Sequence, residues 1–341
     1  MIVLKPYDVF IFSDGRPFNK GENLFREGRF FLNPIPILSF ANKLSGEKLN
    51  IQFISLIKKD TLYFKVPIEI KKLKYKEKTV IPKLKKLSQP VISKYTLEYI
   101  LEYPSQEKME DLNSYIDVND FIKYLKGESL ESVDDKKLIV HSEIRTGIEI
   151  DRKKRTTVEG MLYTQVYTRF SEDTGFFVKF NKDINTNFFI LGGEGKLFNV
   201  EKSKDYTKTI EEVKEHIKQK VKQSKIFKVV LLTPTNNIPE IEGSKLIAKV
   251  IGKHITYSGW LSYYKDKIKE KVLPTRIFRL IPEGSVFYYK LEDENKLDEI
   301  FQKYWLKPAF FTKEYPYFDV NRPSGFGLSV IGTIKNQEDI L

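Results

Sequence analysis

The stretch LFNVEKSKDYTKTIEEVKEHIKQKVKQSKIFKVVLL, residues 197–232, decides how this chain reads. Residues 197–201 read as a short strand, and residues 226–232 as a second strand bounded by Thr233-Pro234. Between them Thr209 and Glu212 have the spacing of a capping box, and Ile210, Val213, Ile217 and Val221 line one stripe of a helix. Acidic residues early in that helix and lysines late in it suit its macrodipole. The same order returns further on. The turn Pro282-Glu283-Gly284-Ser285 leads into a strand at 286–291. Leu297, Ile300, Phe301, Tyr304 and Trp305 then recur at helical spacing, and residues 328–334 close the series as a strand.

Strand–helix–strand, an insertion, then strand–helix–strand is the order of a ferredoxin-like split unit, the frame that RNA-recognition modules also use. The N-terminal half contains similar parts. Residues 2–12 read as a strand broken by the turn Asp14-Gly15-Arg16-Pro17, and a loop rich in charge and phenylalanine runs from 18 to 31. Pro34 and Pro36 open a helix over 37–44, residues 51–57 and 62–66 read as paired strands, and the basic segment 71–86 as an edge hairpin or loop. Asn119 is placed to cap a helix over 120–126 that ends at Gly127. At 341 residues the chain exceeds the size at which single cores usually stop growing. The expectation is therefore an α+β protein of two tandem ferredoxin-like (RRM-like) domains, residues 1–190 and 191–341, with a projecting basic hairpin.

Composition narrows the function. Lys and Arg number 58 against 46 Asp and Glu, a net charge of +12 that favours a polyanionic partner. With no cysteine there is no disulfide, thiolate zinc site or thiol chemistry. No apolar run reaches the roughly 18 residues of a membrane span, and no secretory pattern opens the chain, so a cytoplasmic location without membrane contact is expected.

Catalytic sets are incomplete. His141, His216 and His254 are far apart and match no metal-ligand interval. Gly192-Gly193-Glu194-Gly195-Lys196 departs from a phosphate-binding P-loop, with Ile190 in place of the first glycine and Leu197 in place of the Ser or Thr. It remains a glycine turn beside Lys196 that lets backbone approach a phosphate or a partner, or serves as a plain turn. Asp14 stands either as a candidate for metal-assisted chemistry or, next to Gly15, as a turn residue. No metal and no cofactor is expected.

Cations and aromatics gather instead in loops. Arg16, Phe18, Asn19, Lys20, Arg26 and Arg29 follow the first strand. Arg145, Arg152, Lys153, Lys154 and Arg155 lie on a hairpin whose tip, 151–157, is far more polar than its flanks. Trp260, Tyr263 and Tyr264 precede Arg276 and Arg279, and aromatic platforms beside arginine suit unstacked bases. Arg322 with Gly325 and Gly327 precedes the last strand, where glycines allow close backbone approach to RNA or make a simple strand-entry turn.

Seven short motifs in order carry a resemblance. They are Phe12-Ser13-Asp14-Gly15-Arg16-Pro17-Phe18, Glu143-Ile144-Arg145-Thr146-Gly147-Ile148-Glu149-Ile150-Asp151-Arg152, Glu159-Gly160-Met161-Leu162-Tyr163, Leu191-Gly192-Gly193-Glu194-Gly195, Ser258-Gly259-Trp260, Ile281-Pro282-Glu283-Gly284-Ser285-Val286-Phe287 and Gly325-Phe326-Gly327. Together they resemble the third-subunit family of the Cmr complex, RAMP-superfamily proteins of type III-B CRISPR systems. One departure is that Asn33-Pro34-Ile35-Pro36-Ile37-Leu38-Ser39 stands where the family usually shows a Pro-Ser-Thr helix start. The resemblance implies tandem RAMP domains, no nuclease of its own and binding of the repeat-derived 5′ tag of crRNA. It implies as partners the large polymerase-like Cas subunit and a backbone RAMP subunit. The competing reading is a RAMP endoribonuclease that processes precursor crRNA, using His141, or Asp14 with a metal, and Lys196.

Overall fold

Pro6 has no N–H to give to a ladder, and the strand that opens the chain stops there. It spans Ile2–Pro6 rather than 2–12, and Phe10 returns to pairing only as an isolated bridge to Thr168. The computed structural model describes residues 1–12, 25–27, 30–76, 78–92, 96–130, 132–133, 139–192, 194–258, 260–265, 268–274, 277–308 and 325–334. The chain is a mixed α/β protein dominated by two antiparallel sheets. Across the first, the strands run Tyr115–Asp117, Thr61–Lys65, Ile51–Lys58, Thr174–Phe180, Ile2–Pro6, Lys196–Lys202 and Phe188–Leu191. Across the second they run Ser244–Val250, Val286–Leu291, Ile226–Leu231, Leu328–Thr333 and Lys307–Pro308.

Each sheet contains four strands that, counted in chain order, lie second, third, first, fourth. In the first sheet these are 51–58, 174–180, 2–6 and 196–202; in the second, 244–250, 286–291, 226–231 and 328–333. This overturns the grouping expected from the sequence. The strand Lys196–Lys202 pairs with Ile2–Pro6, Val200 opposite Leu4, and so completes the first sheet instead of starting the second. A division at 190/191 would cut through the hairpin in which Phe188–Leu191 pairs with it. The second sheet takes its missing strand, Ser244–Val250, from the segment read as an insertion.

Alternation along the strands places the core. Ile2, Leu4, Phe176 and Val178 pack with Ile37, Leu38 and Ala41 of the helix Ile35–Ser45 on one face of the first sheet. Val3, Phe53 and Phe177 point the other way, into a core that also contains Phe121, Ile217, Val229 and Phe287. That second core joins the two sheets. Each such aromatic or branched side chain, fully buried, contributes about 1.5–3 kcal/mol.

Helix ends differ from expectation in two places. The cap of Val118–Leu125 is Asp117, whose carboxylate accepts from the N–H of Asn119 and of Asp120; Asn119 itself lies inside the helix. The Thr209/Glu212 box does not form, because the segment breaks into Lys208–Glu211 and Lys214–Ser224, and neither makes a side-chain cap. The helix Ile35–Ser45 begins at Pro34 and closes on Gly46 at φ +66°, a left-handed C-cap that glycine adopts without cost.

The turn Pro282-Glu283-Gly284-Ser285 fastens the sheets to each other. The N–H of Ile68 donates to Gly284 O at 2.8 Å, and the N–H of Leu32 donates to Glu283 Oε1 at 3.4 Å. At φ +81°, any Cβ on Gly284 would stand 2.8 Å from the carbonyl oxygen of Val66, so only glycine fits this close approach.

Candidate nucleic-acid interface

The strands Val140–Asp151 and Thr156–Phe170 form one long antiparallel hairpin, in register from Val140 opposite Phe170 to Asp151 opposite Thr156, with an irregularity between Ile148 and Ile150. Strand Phe25–Glu27 joins it in parallel at Thr164–Val166, bringing the backbone of Arg26 beside Gln165. Gly147 leaves room for the Tyr163 ring, whose outer end lies 2.2 Å from where a Cβ would sit.

At the tip, Asp151 makes the turn. Its Oδ1 accepts from the N–H of Lys153 (2.8 Å) and of Lys154 (3.1 Å), and its carbonyl accepts from the N–H of Arg155 (2.7 Å), which takes φ +54°. The side chains of Arg152, Lys153, Lys154 and Arg155 are exposed and have no ion pair among the described residues. Four consecutive cationic residues in one turn concentrate positive charge at the tip.

Nearer the base, alternation separates two faces. Ile144, Ile148 and Leu162 point outward on one face and are 68%, 49% and 55% exposed. Glu143, Arg145, Tyr167 and Arg169 share the other. There Arg145 Nε donates to Glu143 (2.8 Å) and its Nη2 to Asp8 (3.2 Å), while Arg169 bonds the same two carboxylates. The result is a ring of two cations and two anions, each partly exposed. The two arginines hold the Glu143 carboxyl below its ordinary value, and the Val9 amide followed by Arg145 does the same for Asp8. Partly exposed pairs of this kind are screened by solvent and contribute little to stability.

Tyr167 links this ring to the glycine turn. Its hydroxyl lies 2.6 Å from Gln165 Oε1 and 2.8 Å from the Glu194 carboxylate, and burial, then the bond to Glu194, raises its pKa. Arg145 Cζ and Lys196 Nζ lie 5.5 and 5.3 Å from the ring centroid, and Lys196 pairs with Glu194 at 3.4 Å. The structure thus unites Arg145 with Lys196, both expected from the sequence, but neutralises both with carboxylates. Asp8, Glu143, Tyr167 and Arg169 were missed, although Glu143, Arg145, Tyr167 and Arg169 follow the period of two that a hairpin imposes.

Other expected residues fall elsewhere. Arg279 is exposed on the strand Phe278–Leu280, opposite Thr256, and shares a cavity of about 570 Å³ with Lys253, His254 and Asn237. Trp260 is on the strand Trp260–Lys265, paired with Ile268–Pro274. Gly325 and Gly327 correct the sequence reading, because both are buried. A Cβ on Gly325 (φ +84°) would meet Pro34 at 2.9 Å and Ile51 at 3.1 Å, and Gly327 N–H donates to Pro234 O at 2.8 Å, so their close approach is to protein. Gly192 likewise makes room for the backbone of Ile11, 2.5 Å from a Cβ there. Asp14, Arg16, Phe18, Lys20, Arg276 and Arg322 lie outside the described residues. Among the described residues no His, Asp or Glu group has metal-binding geometry, and no helix is long and apolar enough to cross a membrane.

Fold and surface together define a sheet-dominated α+β protein that carries a concentrated positive charge on the end of a long hairpin. A family model described as CRISPR-associated protein (Cas_Cmr3) matches residues 47–334, and the chain belongs to that family, the Cmr third-subunit family that its motifs resemble. Among solved structures it is similar to a chain of the type III-B Cmr-beta complex bound to cognate target RNA and AMPPnP (TM-score 0.47, 13% identity, covering 89% of this chain and 88% of that one). It is also similar to one from the same complex bound to cognate target RNA (TM-score 0.46, 13% identity, 84% and 86%). A third similarity is to a chain of the Csm3–Csm4 subcomplex of the type III-A CRISPR-Cas interference complex (TM-score 0.35, 11% identity, 85% and 93%). No curated protein matches the chain.

Proposed function

We propose that this Cmr-family subunit is a non-catalytic, cytoplasmic RNA-binding scaffold of a type III-B CRISPR effector complex. It binds the 5′ tag of crRNA and docks the large polymerase-like Cas subunit and a backbone RAMP subunit. In this reading its two sheets are tandem ferredoxin-like (RRM-like) RAMP domains, supported by the shared second–third–first–fourth strand order. The observation that carries the RNA assignment is the tip of the long hairpin, where Arg152, Lys153, Lys154 and Arg155 are exposed and without acidic partners among the described residues. Phosphates are the complement of such a tip, and the strand–strand base holds it away from the sheets.

Arg26 lies at the inner part of the hairpin, where the strand Phe25–Glu27 pairs with it, and in this reading extends the RNA path from the tip toward the sheets, with Arg16 as a further phosphate contact. Arg145 and Lys196 contribute when an RNA phosphate displaces Glu143 or Glu194. The test is a pair of native and denaturing gels with the full chain and end-labelled crRNA, with a tag-swapped RNA as control. A salt-sensitive shift that prefers the intact tag, with the RNA uncut, is expected. Site-specific cleavage abolished by His141→Ala would replace this reading with the endoribonuclease.

A further inference from the structure

Lys228 occupies the central strand Ile226–Leu231 of the second sheet, between Phe227 and Val229, and is 3% exposed. Its carboxylate neighbour, Glu69, is fully buried and already engaged. Tyr124 and Tyr288 each donate a hydroxyl to one of its oxygens at 2.7 Å. The ammonium stands 3.8 Å from Glu69 Oε1, beyond hydrogen-bond reach, and 3.3 Å from the centroid of the Tyr124 ring. Among the described residues it has no other partner. An ammonium has three donors to satisfy, and a buried one that is only partly neutralised is costly. Burial lowers its pKa to about 8 in spite of Glu69.

Lys228, Tyr124 and Tyr288 are among the residues that line a cavity of about 590 Å³. Its walls include the buried apolar side chains Val80 and Leu84, and Lys76 and Lys78 stand exposed at its edge. Glu107 at that edge is engaged by Lys76 at 2.6 Å, and Glu128 is exposed. The space is of the size that takes a small organic ligand, with an apolar body and one charge placed deep.

We propose that this cavity binds a small organic anion, its carboxylate or phosphate against Lys228 and its apolar body against Val80 and Leu84. The anion supplies the acceptors that the ammonium lacks, while Tyr124 and Tyr288 hold the two oxygens of Glu69. This site is independent of the hairpin and does not rest on the RNA reading.

The test is thermal melting of the full chain titrated with phenyl phosphate, benzoate, inorganic phosphate and sodium chloride at matched ionic strength. A saturable rise in Tm is expected for at least one of the two ring-bearing anions, at least tenfold tighter than for inorganic phosphate. The better of the two probes identifies the charged group as phosphate or carboxylate. The rise is lost in the Glu69→Gln/Lys228→Met double variant, which removes both charges together. Lys78→Gln, an exposed change that leaves folding intact, weakens binding about threefold. An equal rise in the double variant, or with sodium chloride alone, overturns the site. Displacement of the bound probe by a short RNA oligonucleotide overturns the small-molecule assignment.

Discussion

Removing Lys228 and Glu69 one at a time, then together, separates the energy of the buried pair from that of its surroundings. Lys228 falls from an ordinary 10.5 to about 8, so folding disfavours its ammonium by about 3 kcal/mol even with Glu69 beside it. Lys228→Met leaves Glu69 with two phenol donors and no cation, and is expected to cost about 3 kcal/mol. Glu69→Gln leaves the ammonium with little but the face of Tyr124, and is expected to cost about 3–5 kcal/mol. The double variant is expected within about 1 kcal/mol of the parent, or above it, giving a coupling of at least about 3 kcal/mol. Urea denaturation followed by fluorescence measures this, since Trp305 is buried and stacked on Phe301 over the same sheet. The pH dependence gives a second reading. Between about 8 and 10.5 the unfolded chain binds more protons at this lysine than the folded one, so stability rises with pH there. That slope disappears in the double variant. Additive single effects, with coupling below about 1 kcal/mol, would refute the account of Lys228 and Glu69 as one electrostatic unit.

Three further outcomes are expected. Burial raises Glu283 to about 6 and its Oε2 has no partner among the described residues, so its contribution to stability is full below about 4.5 and lost as pH rises through 6. Glu283→Gln flattens the stability–pH curve over that window and stabilises by about 2 kcal/mol at pH 8, as read by denaturation at several pH values. Gly284→Ala forces a Cβ against Val66 O at a left-handed φ and loses about 2–4 kcal/mol, checked by the same melts; a loss below about 0.5 kcal/mol would show the clip between the sheets to be loose. Arg152→Glu with Lys154→Glu leaves Tm unchanged and lowers the magnitude of the log–log salt slope for crRNA binding by about 1.4, two single-strand phosphate contacts, measured by gel shift from low to moderate salt.

Much of the fold was legible because local rules agreed with the packing. The helix Ile35–Ser45, the paired strands at 51 and 61, and the strands at 286 and 328 all lie where alternation and proline placement put them. What failed was the pairing of distant segments. Nothing within residues 197–232 says that Lys196–Lys202 will lie against Ile2–Pro6, nearly two hundred residues away, and the adjacent helix made a local unit the simpler reading. The capping box failed because the segment breaks into Lys208–Glu211 and Lys214–Ser224, which leaves Glu212 at the end of the first helix and not in the first turn of one long helix. In the candidate interface the basic tip was visible as composition, whereas the carboxylates that neutralise Arg145 come from Glu143 across one residue and Asp8 across the whole domain. Gly325 and Gly327 were misread because a glycine that permits close approach does not name what approaches.

The hairpin also has a mechanical consequence. Its inner part is held by Phe25–Glu27 at Thr164–Val166, and among the described residues the outer part out to residue 155 is a beam of two strands. At about 3.3 Å per residue that beam is roughly 25–30 Å long. Turning its root by 10° therefore sweeps the four cations through roughly 5 Å. A lever of this length turns a small rotation at the root into a displacement of several ångströms at the tip, with both sheets left in place.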